Sequence, residues 1–87
     1  MSTIACTNKE FKAALGDFWT ECGKTSNTQD QIANGHKCVC LMYLGVTDFE
    51  DDDDMQRSAD LLIATTSNAL RRGWDLELPE ELMGSGD

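Results

Sequence analysis

The sequence predicts an all-α fold: a small three-helix bundle with helices over about 8–22, 29–44 and 48–72, followed by an extended acidic C-terminal tail. Three observations predict it. Thr7-Asn8-Lys9-Glu10, Thr28-Gln29-Asp30-Gln31 and Thr47-Asp48-Phe49-Glu50 each fit the capping box, in which a threonine oxygen accepts from the N3 amide while the N3 side chain returns to the cap's own N–H. Each box is followed, at helix length, by a glycine suited to the left-handed C′ position: Gly23, Gly45 and Gly73. Apolar residues in the first and third segments recur at intervals of three and four, as one face of a helix requires.

In the first segment Phe11, Leu15, Phe18 and Cys22 form the stripe, with Ala14 and Trp19 beside it, and Cys6 and Phe11 stand where a hydrophobic staple forms. The middle segment is apolar at every position from Cys38 to Leu44, which suits a helix covered on all sides or a short central strand. Asn34-Gly35 is also a hairpin-turn dipeptide, so the alternative is an α+β fold with a short strand near 37–44. In the third segment Met55, Ala59, Leu62, Ile63, Thr66, Ala69 and Leu70 make the stripe. Its acids lie at the start and Arg71-Arg72 at the end, matching the helix dipole, and Asp53 and Arg57 are placed to pair at i,i+4.

Short linkers make consecutive helices antiparallel neighbours. At about 1.5 Å per residue the third helix spans ~37 Å against ~22–24 Å for the others. Its carboxyl end therefore overhangs, and Ile63, Leu70, Trp74 and Leu76 form a candidate oligomer interface unless the tail folds back over them. Trp74-Asp75-Leu76-Glu77-Leu78 alternates apolar with acidic as an extended segment with one buried face does, and Pro79 opens one helical turn over Glu80–Met83. The 87 residues make one domain, 1–87, whose tail, 74–87, packs back or is partly disordered, with Gly84-Ser85-Gly86-Asp87 as a frayed end.

The formal net charge is −9. Residues 1–46 are neutral, and the whole excess lies in 47–87, where twelve acids face Arg57, Arg71 and Arg72. Asp48, Glu50, Asp51, Asp52, Asp53 and Asp54 place six acids within seven residues. Such a surface repels a phosphate backbone or an anionic membrane, which excludes direct nucleic-acid binding and a helix-turn-helix reading of the turn at Gly45. Three readings of the run compete. A solvated helix start needs only two or three acids. A cation site in the EF-hand frame beginning at Asp48 fails, because Asp53 stands where glycine is required and Ala59 where the bidentate glutamate belongs. An acidic face for a basic partner fits the density: consecutive helical carboxylates fall about every 1.5 Å, against one charge per about 1.7 Å of duplex axis.

The four cysteines, Cys6, Cys22, Cys38 and Cys40, read as buried reduced thiols of a cytoplasmic chain, since the amino terminus has no export-signal layout. A metal site built from His36, Cys38, Cys40 and Cys22 requires a strand, because residues i and i+2 of a helix point apart. Cys40 and His36 share a helix face at i,i+4, but no third group or oxyanion site completes a catalytic set, and no phosphate loop or nucleophile motif is present. The expected function is therefore non-enzymatic and cofactor-free. The face at Asp48 and Glu50–Asp54 is expected to bind a basic protein, in the limit a nucleic-acid-binding one whose ligand the acids mimic. The alternatives are an assembly protein, a homodimer joined through Ile63, Leu70, Trp74 and Leu76, and a small metal-binding protein. In size and charge alone the chain resembles the small accessory proteins of bacteriophages and mobile elements, some of which inhibit nucleic-acid-binding enzymes by charge mimicry. That resemblance implies an inhibitor of the same kind.

Overall fold

In a computed structural model that describes residues 3–83, the Thr7 hydroxyl accepts the Glu10 amide (3.0 Å) and the Glu10 carboxylate accepts the Thr7 amide (2.8 Å). That reciprocal box opens helix α1, Asn8–Cys22. Thr28 and Gln31 repeat it at the start of α2, Gln29–Gly45. The third box does not form. Helix α3 is Asp52–Arg71, four residues later than the sequence predicts, with Asp51 as N-cap accepting the Asp54 amide at 2.8 Å. Aspartate caps at least as well as threonine, and residues 47–50 are drawn off to the start of α1, as described below.

The glycines also divide. Gly73 adopts φ +99° and completes a Schellman motif: Trp74 N–H reaches Ala69 O (3.1 Å) and Gly73 N–H reaches Leu70 O (3.0 Å). Gly23 is not left-handed; it caps α1 at φ −86°, and the last carbonyls of α1 are satisfied by Gly23 and Lys24 amides and by Asn27 Nδ2. Gly45 is the last residue of α2 itself. Glycine is needed there for closeness, because a Cβ would overlap the Ile4 carbonyl. The N-terminal segment crosses α2 at this point, with Ile4 N–H donating to Leu41 O at 3.2 Å and a single parallel bridge between Cys6 and Val46.

Residues 37–44, the alternative strand, are the last turns of α2, and no strand occurs among the described residues beyond that bridge. Apart from the exposed Cys38, the apolar run is accommodated because different neighbours cover different sides of it. Tyr43 meets Phe11 of α1 (5.6 Å between ring centroids) and Phe49 of the following loop (5.8 Å), Met42 O accepts the Cys6 thiol, and the tail crosses Leu41. Asn34-Gly35 continues the helix, with Gly35 against the Phe18 ring.

Phe11 lies beside Tyr43 and Phe18 beside His36, so α1 and α2 are antiparallel. His36 bonds Thr66 and Tyr43 reaches Met55 O, so α2 and α3 are antiparallel too. Helices α1 and α3 therefore run parallel, with their amino termini side by side. The core between them holds Phe11, Leu15, Phe18, Cys22, Ile32, Val39, Cys40, Leu62 and Ala69. Cys6 packs against that core at the position expected of the staple. On α3 Ala59, Leu62, Thr66 and Ala69 of the predicted stripe are buried, but the stripe is displaced at its edges: Met55 and Leu70 are exposed, while Ser58 and Thr65, outside it, are buried.

The expected overhang is largely removed. Twenty residues make α3 about 30 Å long, and the chain covers its carboxyl end with its own tail. Trp74 Nε1–H donates to Cys22 O (2.9 Å), and Gln29 and Asp75 exchange two bonds (2.7 and 3.1 Å). Leu76 and Leu82 are buried, the latter in the short helix α4, Glu80–Met83. Of the four apolar residues expected at an oligomer interface, Leu76 is thus inside this chain and Trp74 half-buried in it. Ile63 is half-buried and Leu70 exposed. The frayed end expected over 84–87 lies outside the described residues.

Candidate functional site

The acidic run sits where two parallel helices begin, so it meets two positive helix ends. Asp48 Oδ1 accepts the amide of Asn8, the first residue of α1, at 2.6 Å. Asp51 caps α3. Asp54 turns inward and is buried, although it belongs to the first turn of α3. Its carboxylate accepts from the Glu50 amide (3.1 Å), Asn8 Nδ2 (3.0 Å) and Lys12 Nζ (3.5 Å). The Glu50 backbone bond, followed by the Lys12 charge, holds the Asp54 carboxyl below its ordinary range. Three of the six acids therefore tie the loop to α1 and start α3. An Asp-x-x-Asp pattern over 51–54 is itself an N-cap signal, and it outcompetes Thr47-x-x-Glu50.

Glu50, Asp52 and Asp53 remain exposed, and their carboxylates have no hydrogen-bond or ion-pair partner among the described residues. The predicted Asp53–Arg57 pair does not form: the ion pairs among the described residues are Lys12–Asp54 and Lys24–Glu21. The field of the acidic end extends to Cys6, whose thiol is pushed up by burial and then by Glu10 and Asp48. Asp75 is held at Gln29, at the opposite end of the bundle, and residues 75–79 run back along α2.

His36 and Cys40 lie together beneath that tail, beside a cavity of roughly 270 Å³. The Thr66 hydroxyl donates to Leu62 O (2.9 Å) and so accepts Nε2–H of His36 at 2.8 Å. Burial pulls the His36 ring below its ordinary value and pushes the Cys40 thiol up to about 12, while their closest approach is 3.7 Å. At neutral pH both are uncharged, the reverse of the thiolate–imidazolium state that a cysteine nucleophile needs. Cys38 is exposed on the other side of α2, and Cys22 lies in the core next to Trp74. The four proposed ligands therefore do not converge, and no group of three or more His, Cys, Asp or Glu among the described residues could hold a metal ion. No helix among the described residues is long and apolar enough to cross a membrane.

A second surface feature was hidden in the sequence. Trp19 (41% exposed) and Leu61 (51% exposed) flank a shallow groove between α1 and α3. Leu61 adjoins Leu62 in sequence, so it merges with the core stripe, yet it projects about 100° away from it. Comparison of this chain with protein-family models, curated proteins and solved structures finds no match.

Proposed function

We propose that the chain is a non-enzymatic interaction protein whose acidic end occupies the basic surface of a nucleic-acid-binding protein, acting there as a charge mimic of nucleic acid. One observation carries this reading. After Asp48, Asp51 and Asp54 are accounted for by the fold, Glu50, Asp52 and Asp53 stay exposed, crowded and unpartnered on a chain of net charge −9. Two helix starts give a reason for three acids. The other three repel one another and cost stability, and a cationic partner would relieve that cost. A chain working this way acts in the cytoplasm, where its free thiols stay reduced.

The test immobilises the folded chain and measures retention of basic DNA-binding proteins at low and high salt, with and without competing duplex DNA. Retention should fall steeply with salt and be displaced by the duplex. The variant Glu50→Gln/Asp52→Asn/Asp53→Asn, which touches none of the structural carboxylates, should lose most of it. Undiminished retention by that variant, or retention that duplex DNA does not displace, sinks the proposal.

A further inference from the structure

We infer that the groove between α1 and α3 is a self-association surface, on which two copies of this chain pack α3 against α3 in an antiparallel twofold dimer. The groove has a volume of about 490 Å³ and is lined on one side by Lys12, Gly16 and Trp19 and on the other by Leu61, Ala64 and Asn68. Its lining is largely apolar, and Leu61, a large aliphatic side chain, stands half in water at its edge. Gly16 has open space above it: a Cβ there would meet nothing within 4 Å. Small residues at Gly16 and Ala64 let another helix approach closely, as helix–helix packing at short range requires.

Charge selects the occupant. Although the chain is strongly acidic, Lys12 lines this groove and the Arg72 guanidinium lies 5.2 Å from the Trp19 ring centroid. Along this flank α3 presents Asp53, Arg57, Leu61, Ala64, Asn68 and Arg71, at spacings of three and four that keep a helix seam in register. The series is acidic at its amino end and basic at its carboxyl end. Laid antiparallel on a copy of itself, Leu61 meets Ala64 and Arg57 meets Asn68. The same register brings Asp53 within one residue, about 1.5 Å along the axis, of Arg71, twice by symmetry. The two α3 dipoles then oppose, which is also favourable. A parallel copy would set acid against acid and base against base. Arg57 and Arg71 have no carboxylate partner within their own chain among the described residues, so both are available to the seam. Leu70, 180° away from Leu61 at 100° per residue, lies on the opposite flank and has no part in it.

The dimer shares Asp53 with the acidic end proposed to bind a partner, but Glu50 and Asp52 lie outside the seam, and binding of a DNA-binding protein is read by a different measurement, so failure of one reading is distinguishable from failure of the other. Sedimentation equilibrium of the full chain over a concentration series tests it, with circular dichroism confirming that each variant folds. The chain should sediment as a monomer–dimer system, and Leu61→Asp, at an exposed position, should weaken dimerisation at least about tenfold. Asp53→Arg and Arg71→Asp should each weaken it several-fold, and the double reversal should restore it. A strict monomer at high concentration overturns the inference. So does a dimer unaffected by Leu61→Asp, or a double reversal as weak as the singles.

Discussion

Asp54 shows how one residue of a charge run can differ in kind from its neighbours. Its carboxylate accepts three bonds, from the Glu50 amide, Asn8 and Lys12, whereas Asp52 and Asp53 face water. Asp54→Asn should lower the melting temperature clearly, while Asp52→Asn and Asp53→Asn should leave it unchanged or raise it by relieving repulsion; thermal denaturation at neutral pH separates the cases. The pH dependence follows the same bonds. The folded pKa of Asp54 is depressed below its unfolded value near 3.8, so its contribution is fully present above that value and is lost as pH falls through it toward the folded pKa. The acid limb of the stability curve should therefore flatten in Asp54→Asn. An unchanged acid limb contradicts the role assigned to this carboxylate.

Two glycines at the scale of the helix make opposite predictions. Gly16 lies inside α1 with open space where a side chain would go. Gly16→Ala should stabilise the fold by about 0.5–1 kcal/mol, because alanine loses less backbone freedom on entering a helix. Gly45 is also helical, but a Cβ there strikes backbone atoms of Ile4, which cannot rotate aside. Gly45→Ala should therefore destabilise, detaching the N-terminal segment from α2. Urea unfolding of the two variants reads both signs in one series. The start of α3 carries the same lesson about local competition. Thr47-x-x-Glu50 is a sound capping box, but Asp51-x-x-Asp54 is also one helix-start signal, and the residues before it are claimed by the start of α1.

For the whole molecule, the tail decides which apolar residues are core. Leu76 and Leu70 are both leucines near the end of α3, one 7% exposed beneath the returning chain and the other 47% exposed. Leu76→Ala should cost about 2–3 kcal/mol, within the range for deleting a buried leucine side chain. Leu70→Ala should change stability by no more than about 0.5 kcal/mol. Equal effects in denaturant unfolding would mean that the tail does not cover the bundle in solution. In a chain of 87 residues, with a thin core, that cover is a large share of the apolar area available.

Local chemistry settled the helix count, the starts of α1 and α2, the left-handed turn at Gly73 and the acidity of one end of the molecule. Each depends on residues within one or two turns of one another, where Thr7 finds Glu10 and Trp74 N–H finds Ala69 O. Tertiary structure decided what rests on residues far apart in sequence. Asn8 meets Asp48 and Asp54 across forty and forty-six positions, which makes half of the acidic run structural and moves the start of α3. Ile4 meeting Gly45 gives that glycine its purpose, and the return of Leu76 decides that the tail folds back over the end of α3, one of the two covers that the sequence leaves open. Periodicity reports that a helix has an apolar side, but only the position of the neighbouring helices shows which leucine that side buries. Leu62 lies in the core and Leu61 lines an open groove for that reason.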